Sequence, residues 1–221
     1  KPLHATFGAE VRGIDLRQGL PLSTLQAIKA DLAKYRLLVF KNQGYISGSQ
    51  QVAVSQLFGE LECSFDQHPK SPHPSIFRVS NDRSEGFTKI GRSGWHIDGT
   101  SLPMPFKYQT MHFHSVVDGG DTLFIPLKEL VQAQTEETLS RWRQLWMITG
   151  YGPVHPLVCV HPFTREVTMC FHCGRNYCSG WSLGNPEDPL ALLPSADVRE
   201  EVTRAIKQEL GLIHRQQWQL G

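Results

Sequence analysis

His96 and Asp98 stand one residue apart in Gly94-Trp95-His96-Ile97-Asp98-Gly99-Thr100, and this pair carries the clearest chemistry in the chain. On an extended strand residues i and i+2 share a face, so an imidazole nitrogen and a carboxylate oxygen can meet at one point. Such a pair is two-thirds of the 2-His-1-carboxylate arrangement that holds Fe(II) and leaves coordination positions open. Two bonds of about 2 Å to one ion place the donor atoms roughly 3 to 4 Å apart. A His-x-Asp triplet alone is common on surface strands and in Asp-capped loops, so its weight depends on the rest of the chain.

Other groups compete for a chemical role. Cys170-Phe171-His172-Cys173, with Cys178 five residues later, invites a zinc site and with it a zinc-stabilised binding module. A structural zinc site needs four ligands, usually as two spaced pairs, and no second pair is near; ordinary packing of buried thiols is the expectation. His112 and His114 share a strand face but read as structural or cavity-lining residues. Trp142, Trp146 and Trp181 read as core or interface aromatics. Arg175 is a candidate contact for an anionic substrate, with a solvated or cap-bonding arginine as the ordinary reading. Arg12 and Asp15 read as a structural turn pair. No Gly-rich phosphate loop, nucleophile elbow or paired acid/base carboxylates can be made out.

The elements that must position these groups follow from hydrophobic period and punctuation. Residues 3–16 suggest a short hairpin-like start. A helix opens at Pro21-Leu22-Ser23, with Ser23 and Gln26 as a capping box and Leu25, Ile28 and Leu32 as its buried stripe. Leu37-Leu38-Val39-Phe40 reads as a buried strand, and Ser49 as the cap of a second helix stopped by Gly59. Residues 63–75 form a proline-rich loop, Ile76-Phe77-Arg78-Val79 a strand, residues 81–93 a loop, and residues 108–117 a long strand before the Asp118-Gly119-Gly120-Asp121 turn. Strand Thr122-Leu123-Phe124-Ile125 precedes a helical region over 127–146. Two strands follow, over 154–160 and 167–171, around Pro162-Phe163-Thr164-Arg165. Residues 185–194 are loop. A last helix is capped by Ser195, with Val198, Val202, Ile206 and Leu210 inward, and the segment from Trp218 looks like a strand entry. Many strands interrupted by helices suit a mainly β, α+β architecture, a barrel or jelly roll with helical inserts.

Composition narrows the class. The 221 residues are 40% hydrophobic and 19% charged, with a net charge of +1, so one domain with a sizeable core is expected, and no electrostatic case exists for nucleic acid or an acidic membrane surface. No apolar run reaches the length of a membrane span. Five cysteines, an odd number, fit free thiols in a reducing, cytoplasmic setting rather than a disulfide framework.

Taken in order, four stretches resemble the successive blocks of one family. They are Phe7-Gly8-Ala9-Glu10-Val11-Arg12-Gly13-Ile14-Asp15-Leu16; Leu38-Val39-Phe40-Lys41-Asn42-Gln43 with Leu57-Phe58-Gly59-Glu60-Leu61; Trp95-His96-Ile97-Asp98-Gly99-Thr100; and Gly119-Gly120-Asp121-Thr122. The family is the TauD/TfdA group of Fe(II)- and 2-oxoglutarate-dependent dioxygenases, and four ordered matches are more specific than any one. The resemblance implies a single domain over 1–221 with the double-stranded β-helix, or jelly-roll, fold. It implies His96 and Asp98 as iron ligands, Thr122 as a group holding the 2-oxoglutarate carboxylate, and His68 as a substrate contact, although the residues after Pro69 depart from the taurine-oxidising pattern. The family's third ligand, a histidine, and its 2-oxoglutarate-binding arginine follow the segment resembling Trp218-Gln219-Leu220-Gly221. His214 precedes that position, so a domain incomplete at its C-terminus is expected.

The activity implied is hydroxylation of a small organic acid, sulfonate or zwitterion, with succinate and CO2 as co-products. The implied partners are a small-molecule substrate and dioxygen, with no nucleic acid and no membrane; the oligomeric state is open, a homo-oligomer included. The alternative is a non-catalytic or truncated member acting as a binding or interaction protein.

Overall fold

The computed structural model describes residues 1–62, 67–90, 94–117, 119–188 and 192–219. Its chain forms two compact units, one of Lys1–Ile90, Tyr108–Phe124 and His214–Gly221, the other of Gly91–Lys107 and Ile125–Ile213.

In the first unit β1 (Ala9–Val11) pairs in parallel with β2 (Leu38–Phe40), in register Ala9 with Leu38 and Val11 with Phe40. The connection is α1 (Leu22–Tyr35), whose Ile28 is buried while Arg36 ends it in the left-handed region. The expected cap moves: Pro21 is the N-cap, and no side chain bonds there. Proline fixes the entry by its restricted φ, leaving Ser23 inside the first turn. Helix α2 (Gly48–Gln56) is capped by Ser47 rather than Ser49, in a reciprocal capping box with Gln50. Buried Gln43 secures the preceding loop, donating to the Ile14 and Lys41 carbonyls at 2.8 and 3.0 Å and accepting from the Leu16 N–H at 2.8 Å. Both its N–H groups and its carbonyl oxygen are thereby directed at backbone groups that lack strand partners. Strand β3 (Thr122–Phe124) pairs antiparallel with β10 (His214–Gln216).

Two expected strands are absent among the described residues. Residues 76–79 contribute only an isolated bridge, Val79 to Phe87, and residues 108–117 join no ladder. Alternation sets which face a side chain takes, but a strand also needs a neighbour for its backbone groups. Asp118 and Cys63 lie outside the described residues.

The second unit holds a four-stranded antiparallel sheet in the order β5 (Val154–Pro156), β4 (Leu145–Thr149), β8 (Cys178–Leu183), β9 (Leu192–Leu193). A hairpin of β6 (Val158–Val160) and β7 (Val167–Met169) closes around the expected turn. The expected long helix over 127–146 is two short ones, α3 (Leu127–Gln132) and α4 (Glu136–Trp142), followed by β4. Thr135 interrupts it, its hydroxyl accepting from the Thr138 N–H at 3.2 Å as the cap of α4. Beyond Arg143 the burial period changes from helical to alternating, with Leu145, Met147 and Thr149 inward.

Helix α5 (Ser195–Gln208) presents Val198, Val202, Ala205 and Ile206 to the core, with Pro194 rather than Ser195 as N-cap. Leu210 lies past its end and is exposed, in a 3-10 turn spanning Leu210–Leu212. The core gathers the α5 stripe with Leu130, Trp142, Leu145, Met147, Leu157, Met169, Phe171 and Trp181. Burial of each large apolar side chain contributes about 1.5–3 kcal/mol. Trp142 keeps its indole N–H satisfied by donating to Glu201 on α5 at 2.8 Å, and Arg141 donates to the same carboxylate. Among the described residues no helix is long and apolar enough to cross a membrane.

Candidate metal centre

The metal-site candidate lies in the second unit and is built from two short segments. Ile97 N–H donates to the Phe171 carbonyl at 3.1 Å and Cys173 N–H to the Trp95 carbonyl at 2.9 Å. These bonds flank an antiparallel bridge between His96 and His172. Directly opposed residues bring their side chains together, and the two imidazoles stack at 4.5 Å, 19° from parallel. Sequence spacing suggested one strand carrying both His96 and Asp98. Instead His96 sits on the bridge, and Asp98 follows at the start of a turn.

Two glycines set that path. Gly94 has φ +101, and its carbonyl accepts from His96 Nδ1 at 2.7 Å. A carbonyl can only accept, so the proton sits on Nδ1 and Nε2 keeps its lone pair for a metal. Gly99 has φ +83, and a Cβ there would stand 2.8 Å from the Phe106 nitrogen. Thr100 is buried, and its carbonyl accepts from His155 Nε2 at 2.9 Å. His155 thus braces the turn that follows Asp98.

His96 Nε2 and Asp98 Oδ1 are 3.6 Å apart, with 22% and 36% of their side-chain surface exposed. That gap is less than two bonds of about 2 Å, so one ion can bridge both atoms. An imidazole nitrogen with a carboxylate oxygen suits a borderline divalent ion such as Fe(II). His172 is placed differently: its Nδ1 accepts from the Gly174 N–H at 2.8 Å, and its other face stacks on Tyr177 at 4.2 Å. Burial, assisted by neighbouring His96, pushes its pKa down to about 4, keeping the ring neutral at neutral pH. Among the described residues no three His, Cys, Asp or Glu side chains gather as a metal-binding group.

Each remaining candidate has its own surroundings. Thr122, on β3 of the first unit, has its hydroxyl engaged as acceptor for Trp218 Nε1 at 2.8 Å. His68, also in the first unit, accepts from the Lys70 N–H through Nδ1 at 3.2 Å, and its Nε2 faces the Arg83 carbonyl at 3.3 Å. His214 is on β10 beside Gln216. His112 and His114 meet edge to face at 4.3 Å, with His112 bonded to the Gly44 carbonyl. Cys159, Cys170, Cys173 and Cys178 are free thiols; burial pushes Cys170 up to about 12 and Cys173 to about 11. The Arg12–Asp15 pairing is replaced by two nearer ones, Arg12 with Glu10 and Arg17 with Asp15. His155 and Tyr177 were not singled out in the sequence. Their signals were a lone His inside an apolar strand and the Gly-Arg-Asn-Tyr after the His172 strand, neither of them specific.

The strand-rich fold with helical inserts defines a class, the jelly-roll dioxygenases dependent on 2-oxoglutarate. The family model for taurine catabolism dioxygenases, the TauD, TfdA family, matches residues 1–221, and the chain belongs to that family. A sulfate ester dioxygenase dependent on alpha-ketoglutarate from Pseudomonas putida is 26% identical over 95% of this chain and 78% of that relative. An (S)-phenoxypropionate/alpha-ketoglutarate-dioxygenase from Sphingobium herbicidovorans is 29% identical over 76% of this chain and 68% of its own length. Among solved structures, one described as a putative alpha-ketoglutarate-dependent taurine dioxygenase from Burkholderia xenovorans superposes with a TM-score of 0.68 at 25% identity, covering 100% of this chain and 76% of that one. AAD-2, solved with Mn(II) and N-oxalylglycine, gives a TM-score of 0.68 at 20% identity over 100% of this chain and 83% of its own.

Proposed function

We propose that the chain is the core of an Fe(II)- and 2-oxoglutarate-dependent dioxygenase that hydroxylates a small organic acid, sulfonate, sulfate ester or zwitterion. The observation that carries this reading is the 3.6 Å approach of His96 Nε2 to Asp98 Oδ1, with the Nδ1 proton committed to the Gly94 carbonyl. Membership of the TauD/TfdA family supports it, as do relatives described as alpha-ketoglutarate-dependent enzymes of sulfate esters and phenoxypropionate.

His96 and Asp98 would hold Fe(II), which when bound supplies oxidation of a C–H bond by dioxygen coupled to decarboxylation of 2-oxoglutarate. The protein's own part is positional. The Gly94 carbonyl orients the His96 ring, His155 steadies the turn beyond Asp98, and the neutral His172 ring packs flat against His96 without adding charge. Thr122 is proposed as a hydroxyl contact for the 2-oxoglutarate carboxylate and His68 as a substrate contact, both by resemblance to the family.

The test is succinate formation from 2-oxoglutarate with Fe(II) across alkyl sulfates, sulfonates, phenoxy acids and betaines. At least one anionic class should stimulate succinate release in the parent protein and leave His96→Ala and Asp98→Ala inert. Release that persists in both variants would sink the reading.

A further inference from the structure

Arg175, in the loop beyond β7, and Arg199, on α5, line one cavity of about 340 Å3 with Cys173, Asn176 and Tyr177. Among the described residues no carboxylate lines its wall. Among the described residues neither guanidinium has a carboxylate within ion-pair reach, whereas Arg12, Arg17, Arg78, Arg141, Arg143 and Arg215 each do. The cavity therefore concentrates two uncompensated positive charges in one concave place. Cys173 and Cys178 supply no counter-charge, since burial holds both thiols neutral even though Arg199 pulls the other way. A smaller adjoining recess is lined by Arg175, Arg199, Gly174 and Ser195, the first residue of the 14-residue helix α5. A helix start adds partial positive charge of the same sign.

The location matters as much as the charge. Tyr177, in the cavity wall, stacks on His172 at 4.2 Å, and His172 stacks on His96 at 4.5 Å. Two aromatic thicknesses thus separate the arginines' cavity from the metal-site candidate.

We propose that Arg175 and Arg199 receive the anionic head group of the organic substrate, a sulfate, sulfonate or carboxylate, and so set which of its carbons lies beside His96 and Asp98. Guanidinium groups match such oxyanions in bidentate geometry. Tyr177, the aromatic ring in the cavity wall, gives an apolar surface for the short alkyl or aryl spacer between head group and reacting carbon. This inference rests on the reading under Proposed function and names the specificity element of that site.

The decisive experiment is a binding measurement that needs neither iron nor turnover. Calorimetric titration of the protein with hexyl sulfate, inorganic sulfate and hexanol, at low ionic strength, compares the parent with R175Q/R199Q, R175K/R199K and R83Q. Loss of two charge-assisted contacts should weaken hexyl sulfate by at least about tenfold in R175Q/R199Q, to the level of hexanol. R175K/R199K should retain an intermediate affinity, and R83Q the parental one. Unfolding midpoints confirm that the variants are folded. Unchanged hexyl sulfate affinity in R175Q/R199Q overturns the proposal, and so does a loss that falls equally on 2-oxoglutarate, which would assign the pocket to the cosubstrate. Failure of the enzymatic reading would appear separately, as absence of succinate formation in a parent protein that still binds hexyl sulfate through these arginines.

Discussion

His155 Nε2 donates to the Thr100 carbonyl across 2.9 Å, fastening β5 to the turn that follows Asp98. Both residues are buried, so the bond has no water to replace it. His155→Ala should cost about 3 kcal/mol, from an unpaired buried carbonyl together with a void. His155→Gln, which keeps an N–H donor, should cost less. Metal affinity should fall with the alanine variant by more than the stability loss explains, because the Asp98 turn loosens. Denaturant unfolding and metal titration on the same samples check both parts.

Gly99 and Gly119 share a φ of +83, but a Cβ at Gly99 would stand 2.8 Å from the Phe106 nitrogen, while one at Gly119 meets nothing within 4 Å. Gly119→Ala should therefore cost only the backbone strain, about 1 kcal/mol. Gly99→Ala should cost about 1–3 kcal/mol more, because backbone must shift, and should disturb Asp98 as well. Equal unfolding free energies for the two variants would contradict the packing described.

Much of this arrangement was legible in the residues, for identifiable reasons. The Gly94–Thr100 motif, the β2 run, the β6–β7 hairpin and the inward stripe of α5 all rest on local period or punctuation. The break between α3 and α4 was hidden because Trp142 and Leu145 keep helical spacing although Leu145 begins a strand. The approach of His172 to His96 depends on pairing between segments about 75 residues apart, which no local pattern encodes. Ser47 and Ser49 are equally good caps by composition, and only Ser47 has Gln50 three residues on. His155 was unreadable because a lone histidine on an apolar strand does not reveal which carbonyl it meets.

Burial pushes the thiol of Cys170 up to about 12 and that of Cys173 to about 11, and raises that of half-buried Cys159. The thiolate is the reactive form, so at pH 8 the folded protein should react slowly with thiol reagents at these positions, with Cys159 modified before Cys170 and Cys173. In denaturant all three should react at the rate of free cysteine. Mass mapping of a timed alkylation gives the order. Rapid modification of Cys170 in the native protein would contradict its placement.

Asp15 is held down to about 2, chiefly by the Arg17 side chain and also by the Arg17 N–H. A depressed carboxyl contributes stability that is present above its ordinary value of 3.8 and lost as pH falls through about 2. Arg17→Gln should return the Asp15 titration towards 3.8, read by NMR of the side-chain carboxyl. The Arg12→Gln variant should leave it in place, since Arg12 pairs with Glu10.

His96 and Asp98 should share one metal ion. Anaerobic equilibrium dialysis with Fe(II), in the presence of 2-oxoglutarate, measures this directly on the parent protein and on His96→Ala and Asp98→Ala. The expected result is one Fe(II) bound by the parent, with affinity reduced at least about a hundredfold in each variant, because removal of a ligand costs more than loss of an outer partner. Parental stoichiometry and affinity in both variants would place the metal elsewhere and contradict the account.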